Sequence, residues 1–195
     1  MASKIYLASA SRRRQELLHQ LGISFDVIVP AVSELQRHSE GPMEYVQRLA
    51  VEKAHDASRL VVERALPLRP VLGADTSVVL DGAVLGKPHD RQEGEAMLRS
   101  LCGRTHTVLT AVTVLHDGVQ QSAIDASQVT LRRLDAAEIA HYWETGEPAD
   151  KAGAYALQGR AAAFVSRIEG SYSGVVGLPL YYVAAMLAKV GIKGV

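Results

Sequence analysis

Val71-Leu72-Gly73-Ala74-Asp75-Thr76-Ser77-Val78-Val79-Leu80-Asp81-Gly82-Ala83-Val84-Leu85 decides the fold. Val71 to Leu80 reads as an apolar strand, and Asp81-Gly82 is a dipeptide that favours a two-residue hairpin turn. The strand therefore turns back on itself through Ala83 to Leu85. Upstream, the hydrophobic period alternates. Ile5 to Ala8 is a short strand, and Arg12 to Leu21 places Leu17, Leu18 and Leu21 on one helical face before Gly22 stops it. Phe25 to Val29 is a second strand, ended by Pro30. From about Pro42 a long helix carries Met43, Val46, Leu49, Ala50, Ala54 and Ala57 at helical spacing. A β-α-β-α run followed by a hairpin predicts an α/β fold with a mixed twisted sheet flanked by helices.

Downstream, Arg91 to Leu101 is helical up to Gly103, and Thr105 to Leu115 and Ala123 to Leu131 are strands joined around His116-Asp117-Gly118. Asp135 caps a helix to about Glu144, with Ala136, Ile139, Ala140 and Trp143 facing inward. Ala154 to Leu157 and Phe164 to Ile168 read as short strand-like pieces, and a last helix begins near Pro179. Arg64 to Pro70 is too short for a flexible linker, so residues 1–195 are expected to form one domain.

Composition narrows the function. A chain of 195 residues, 48% of them hydrophobic, buries roughly 70% of the surface its unfolded form exposes and needs no disulfide or structural metal to fold. Its 21 Lys plus Arg balance 21 Asp plus Glu, which leaves no broad positive field for coating a nucleic-acid polymer or a membrane surface. The longest apolar stretches, Leu178 to Ala188 and Val108 to Leu115, fall short of the roughly 20 residues of a spanning helix. The residues before Arg12 lack a signal-peptide core, so the expected location is cytoplasmic. A lone Cys102 excludes intrachain disulfides and thiolate zinc clusters; among Leu98, Leu101 and Gly103 it reads as a buried structural thiol.

Leu7-Ala8-Ser9-Ala10-Ser11-Arg12-Arg13-Arg14 runs from a strand through small residues into a helix. Small side chains admit a ligand to the backbone, the unpaired amides of a helix start attract anions, and Ser hydroxyls and Arg forks donate to phosphate oxygens. The competing reading makes Ser11 a cap and the arginines a solvated face; against it, arginines at a helix N-terminus oppose the macrodipole. Asp75 stands inside an apolar strand, where a carboxylate loses hydration without return unless it faces a ligand, a partner or a metal; otherwise it is a turn former bonded to nearby backbone. Glu34, just past the second strand, is an ordinary loop acid alone. Paired with Asp75 it could hold a divalent cation, Mg or Mn rather than Zn, because the oxygens are hard. Lys87, in Gly86-Lys87-Pro88, lies twelve residues beyond Asp75 and could neutralise phosphate charge if the hairpin folds back. Lys53 interrupts the apolar face of the long helix, either for the same purpose or as a snorkelling surface side chain. Gln158, between Leu157 and Gly159, could present its amide to the edge of a base.

Other chemistries fail. Gly82 to Lys87 is one residue short of a phosphate-binding P-loop and is followed by Pro88 instead of Ser or Thr. No G-x-G-x-x-G occurs, Gly170-Ser171-Tyr172-Ser173-Gly174 centres on Tyr instead of a nucleophilic Ser, and the seven His residues show no zinc-ligand spacing. Asp75 also lacks the second Asp two residues on that an aspartyl-phosphate phosphatase carries.

Together, Leu7-Ala8-Ser9-Ala10-Ser11 with Arg13-Arg14, Gly73-Ala74-Asp75-Thr76, Gly86-Lys87-Pro88, Asp150-Lys151-Ala152-Gly153 to Gln158-Gly159, and Val176-Gly177-Leu178-Pro179 resemble the Maf family of nucleoside triphosphate pyrophosphatases. The resemblance runs from residue 5 to about 180. It implies a Maf/inosine triphosphatase-like fold of two lobes around a nucleotide cleft, a homodimer, and hydrolysis of the bond between the α and β phosphates. Asp75 would be the proton acceptor that activates water. Arg13, Thr76 and Gln158 would govern substrate choice, and Ser9, Arg13, Arg14, Lys53 and Lys87 would bind phosphates. Glu34 and Asp75 would hold the divalent cation. Arg12 departs from the Pro usual in the family, which loosens that turn without removing phosphate ligands.

Asp150-Lys151-Ala152-Gly153-Ala154-Tyr155 with Gln158 resembles the branch acting on dTTP and UTP, including modified pyrimidine nucleotides. The 7-methyl-GTP branch tends to carry Cys after the Asp and an acidic residue near Gln158. The same chemistry on 7-methyl-GTP or another noncanonical nucleotide is the alternative. A nucleotide-binding regulator of cell division is another, since the family's name comes from inhibition of septum formation. The neutral total thus conceals an expected convergence of Arg13, Arg14, Lys53 and Lys87 with Glu34 and Asp75.

Overall fold

The computed structural model describes residues 4–194, so residues 1–3 and Val195 of the expected single domain lie outside the described residues. In chain order come β1 (Lys4–Ala8), α1 (Arg12–Gln20), β2 (Ser24–Val27), α2 (Pro42–Glu63), β3 (Val71–Leu80), β4 (Ala83–Leu85) and α3 (Arg91–Leu101). They are followed by β5 (Thr105–His116), β6 (Val119–Leu131), α4 (Ala136–Glu144), β7 (Val165–Glu169), α5 (Tyr172–Val176) and α6 (Leu180–Lys189). The strands form a mixed sheet in the order β2-β1-β3-β5-β6-β7, with β4 beside β3. β1 runs parallel to β2 and to β3, with Leu7 opposite both Val27 and Leu72. β4 is antiparallel to β3, and β7 to β6.

Both hairpin signals act as expected. Asp81 and Gly82 have φ of 50° and 80°, and Asp117 and Gly118 have 48° and 75°. Two successive left-handed residues give the turn whose twist matches that of paired strands, and Asp-Gly tolerates it at little cost. Asp135 likewise caps α4: its carboxylate accepts from the Glu138 amide at 2.8 Å, and Glu138 accepts from the Asp135 amide at 3.0 Å.

The chain divides into two compact units. The first comprises the residues up to Asp75, Thr110–Ile124 and the residues from Gly177 onward. Tyr6, Ala8, Ile28, Ala57, Val61 and Val71 form a core in it between the sheet and α2. Close packing of α2 on β3 explains Gly73, because a Cβ there would stand 2.4 Å from the Ala50 carbonyl oxygen and 2.7 Å from the Ala54 nitrogen. The second unit comprises Thr76–Leu109 and Asp125–Val176. Its core gathers Leu98, Leu101, Val129, Leu131, Ile139 and Tyr142.

Several expectations are corrected. Ala154 to Leu157 is not a strand: Ala152–Ala154 is a single 3-10 turn, and left-handed Gly153 and Ala154, with φ of 67° and 58°, break the pleat. In α4, Ile139 and Tyr142 face inward, whereas Ala136 is exposed. Trp143 is only half-buried and covers Gly94 of α3, where a Cβ would lie 2.0 Å from the indole. Met43 is exposed on α2, and Cys102 is half-buried, with its thiol pKa pushed up by that burial. No helix among the described residues is long and apolar enough to cross a membrane.

Candidate active site

In the first unit, β1 ends at Ala8, paired with Gly73 of β3. The chains beyond these two residues carry the polar groups. Ser11 is the N-cap of α1, yet its side chain makes no capping bond. Ser9 organises the turn instead: its Oγ accepts from the Ser11 amide at 3.2 Å and from Arg14 Nη1 at 3.1 Å. Arg14 Nε donates to the Gly177 carbonyl at 2.8 Å. Ser9 is buried and Arg14 partly so, which sets Arg14 apart from a solvated face, whereas Arg12 is exposed. Burial draws the Arg14 pKa below its ordinary value. Asp75 opposes that shift, Arg13 adds to it, and Glu34 opposes it. Arg14 therefore lies within the field of Asp75, Arg13 and Glu34.

Lys53 is buried, so it is not a snorkelling surface side chain. It points from the turn of α2 that presses on Gly73, and its Nζ donates to Asp75 Oδ1 at 2.7 Å and to Glu34 Oε1 at 2.5 Å. Asp75 is 7% exposed and Lys53 9%, while the Glu34 side chain is 46% exposed. Burial pushes the Asp75 pKa up. The charges of Lys53 and Arg14 and the Lys53 hydrogen bond pull it down, Glu34 pushes it up again, and the net shift is upward. A buried carboxylate beside a fixed ammonium can both take a proton and stand close to phosphate charge.

Glu34 sits in irregular chain between β2 and α2, and α2 fixes that chain. Tyr45 donates its hydroxyl to the Glu34 carbonyl at 2.7 Å, and Arg48 Nη2 reaches the Leu35 carbonyl at 3.1 Å. Arg48 also grips Glu40 through both carboxylate oxygens, at 2.6 and 2.8 Å. That hydrogen bonding, against a desolvation penalty, holds the Glu40 pKa at about 2. Burial, then the charges of Asp75 and Glu34, raise the Tyr45 pKa, so its ring lies within the field of the site. Sequence reasoning missed Tyr45, Arg48 and Glu40. Their one signal was the i, i+3 spacing of Tyr45 and Arg48 on α2, which also fits an ordinary surface helix.

Among the described residues no group of three or more His, Cys, Asp and Glu side chains could hold a metal ion. Glu34 and Asp75 supply two carboxylates to one ammonium. That donor set does not make an all-protein cage. It fits Mg or Mn, which bind through one or two carboxylates and complete their shells with water and phosphate oxygens.

The other expected residues belong to the second unit. Thr76 follows Asp75 on β3 and is partly buried; Lys87 is exposed after β4; Gln158 is exposed on a turn. The Gly153 amide donates to the Gly86 carbonyl at 3.0 Å, which ties the chain before Lys87 to the stretch that carries Gln158.

A family model, Maf-like protein, matches residues 4–190, a span that includes Ser9, Asp75 and Gln158. The chain belongs to the Maf-like family. Relatives of this Maf-like chain include three proteins named dTTP/UTP pyrophosphatase. The one from Dechloromonas aromatica (strain RCB) is 45% identical over 97% of this chain and 98% of its own length. That from Cupriavidus pinatubonensis is 48% identical over 99% and 100%, and that from Alkalilimnicola ehrlichii 51% identical over 94% and 91%. Among solved structures, the Staphylococcus aureus Ham1 protein aligns with a TM-score of 0.44 and 15% identity over 66% of this chain and 72% of its own.

Proposed function

We propose that this Maf-like chain is a nucleoside triphosphate pyrophosphatase that converts dTTP and UTP, and modified pyrimidine nucleotides of the same shape, to the nucleoside monophosphate and pyrophosphate. The observation that carries this reading is the buried Asp75 held by Lys53 at 2.7 Å, within the field of Arg14. Near-full-length relatives named dTTP/UTP pyrophosphatase support the substrate.

The chemistry follows from the parts. Asp75 takes a proton from water as the water oxygen forms a bond to phosphorus. The bond from phosphorus to the oxygen bridging the α and β phosphates breaks, and the negative charge gathering on the departing oxygens is met by Arg14, Arg13, Lys53 and Lys87. Ser9 donates to phosphate and holds Arg14 in place. No covalent intermediate is needed, in keeping with the absence of a nucleophile motif. Glu34 and Asp75 would hold a divalent cation, Mg or Mn, which when bound supplies further positive charge to the phosphate oxygens. Arg13, Thr76 and Gln158 select the substrate. The protein works as a single domain, as a homodimer in the cytoplasm, with no nucleic-acid polymer or membrane as partner.

Products from a panel of dTTP, UTP, 7-methyl-GTP and purine triphosphates, with Mg, Mn or a chelator, test this function. Expected are equal amounts of monophosphate and pyrophosphate, fastest from dTTP and UTP, with at least about a 100-fold loss on metal removal. Orthophosphate with a nucleoside diphosphate would overturn the reaction, and a preference for 7-methyl-GTP would overturn the substrate.

A further inference from the structure

A side-chain amide reads a base edge only if the backbone beneath it is fixed, because a hydrogen bond weakens steeply with misalignment. Gln158 is exposed on a turn outside any helix or strand, so its own element does not fix it. Two buried or half-buried side chains that the proposed chemistry does not use supply that support.

Glu147 Oε1 accepts from the Tyr142 hydroxyl at 2.7 Å, and its Oε2 accepts from the Arg160 amide at 2.9 Å. A longer contact of 3.4 Å joins Oε1 to the Ala161 amide. The Tyr142 oxygen in turn accepts from the Ala156 amide at 3.2 Å. One carboxylate and one phenol therefore hold backbone donors at 156 on one side of Gln158 and at 160 and 161 on the other. Gly159 makes room for this clamp, since a Cβ there would stand 2.3 Å from the Glu147 carboxylate.

The charge states suit the task. Burial alone would raise the Glu147 pKa. The bonds from Tyr142, Arg160 and Ala161 and the charge of Lys151 outweigh it and keep the carboxylate ionised. Burial, then the bond to Glu147, raises the Tyr142 pKa, so the phenol stays a donor. Desolvating a carboxylate is costly. A stretch with no geometric demand could leave its amides to water, so three donors gathered on one carboxylate indicate that the shape of this turn matters.

We propose that Glu147 and Tyr142 are positioning residues that hold Gln158 in register for nucleobase selection. The inference rests on the reading of Gln158 as the residue that faces the base. Steady-state kinetics on dTTP and dGTP for Glu147→Gln, Tyr142→Phe, Gln158→Ala and the double variant Glu147→Gln with Gln158→Ala test it.

In Glu147→Gln and Tyr142→Phe, KM for dTTP should rise about tenfold and the dTTP preference fall by a similar factor, with kcat nearly unchanged. Gln158→Ala should lose the same preference, and the double variant should lose no more than Gln158→Ala. If Gln158→Ala relaxes selection while folded Glu147→Gln and Tyr142→Phe keep it, the positioning role fails and the base-facing role of Gln158 stands. If Gln158→Ala itself leaves selection unchanged, both fail. An equal loss of kcat for every nucleotide would mark the clamp as purely structural and overturn the proposal. Should Glu147→Gln not fold, Tyr142→Phe removes a single oxygen and makes the same comparison.

Discussion

Asp75 is pulled in two directions, and Lys53 is the side chain that moderates the pull. Burial raises the Asp75 pKa, while the charge and hydrogen bond of Lys53 lower it. A general base must be deprotonated, so the rate falls as pH drops through its pKa. Lys53→Met removes the larger of the two lowering charges together with its hydrogen bond and leaves only Arg14 against burial and Glu34, which moves the acid limb of the kcat profile to higher pH. A pH–rate profile of the residual activity checks this; a limb that stays in place or moves down would contradict the role of Lys53.

The same residues show what a sequence can disclose. Asp75 was legible because a lone acid interrupts an apolar strand, a local pattern with an energetic cost. Lys53 allowed two readings, and its burial removes the surface one. Tyr45, Arg48 and Glu147 were not legible. Their partners include the Glu34 and Leu35 carbonyls and the Arg160 amide, backbone groups that carry no mark in the sequence and that only the fold brings within reach.

At the junction of α2 and β3, the absence of one methyl group sets the distance between helix and sheet. Gly73→Ala would place its Cβ 2.4 Å from the Ala50 carbonyl oxygen, so helix and strand must separate. Overpacking of this kind costs about 1–3 kcal/mol. It also draws Lys53 away from Asp75, so urea unfolding should show the loss in stability and kcat should fall with it. Gly86→Ala is the control, since nothing lies within 4 Å of its Cβ; its stability should change by less than about 0.5 kcal/mol. Equal stability in the two variants would contradict the packing.

The elements themselves were largely readable. Alternating helical and strand periods, together with two Asp-Gly turns, carried the mixed sheet, because those features depend on neighbours in sequence. Ala154 to Leu157 deceived: its small and apolar residues look like a strand, but left-handed Gly153 and Ala154 turn the chain. The single helical turn of α5 was too short to show a period.

Taken as one molecule, the chain is electrically neutral, with 21 cationic and 21 acidic side chains, a balance that leaves no broad positive field over the surface. It concealed where charge is concentrated. In the first unit Arg14 lies in the field of Asp75, Arg13 and Glu34, with Lys53 bonded to both acids. Ser9, Glu34 and Asp75 come from three separate places in the chain, and the register of β1 on β3 and the packing of α2 bring them to a common purpose. The proposed hydrolysis stands or falls with the carboxylate at its centre. Replacing Asp75 by Asn keeps its shape and removes its basicity, so the decisive comparison is pyrophosphate release from dTTP, alongside dTTP binding by calorimetry, in the wild type and in Asp75→Asn. Turnover should fall by about 1000-fold or more with dTTP affinity within a few-fold; an Asp75→Asn protein that releases pyrophosphate at the wild-type rate would contradict the role of Asp75.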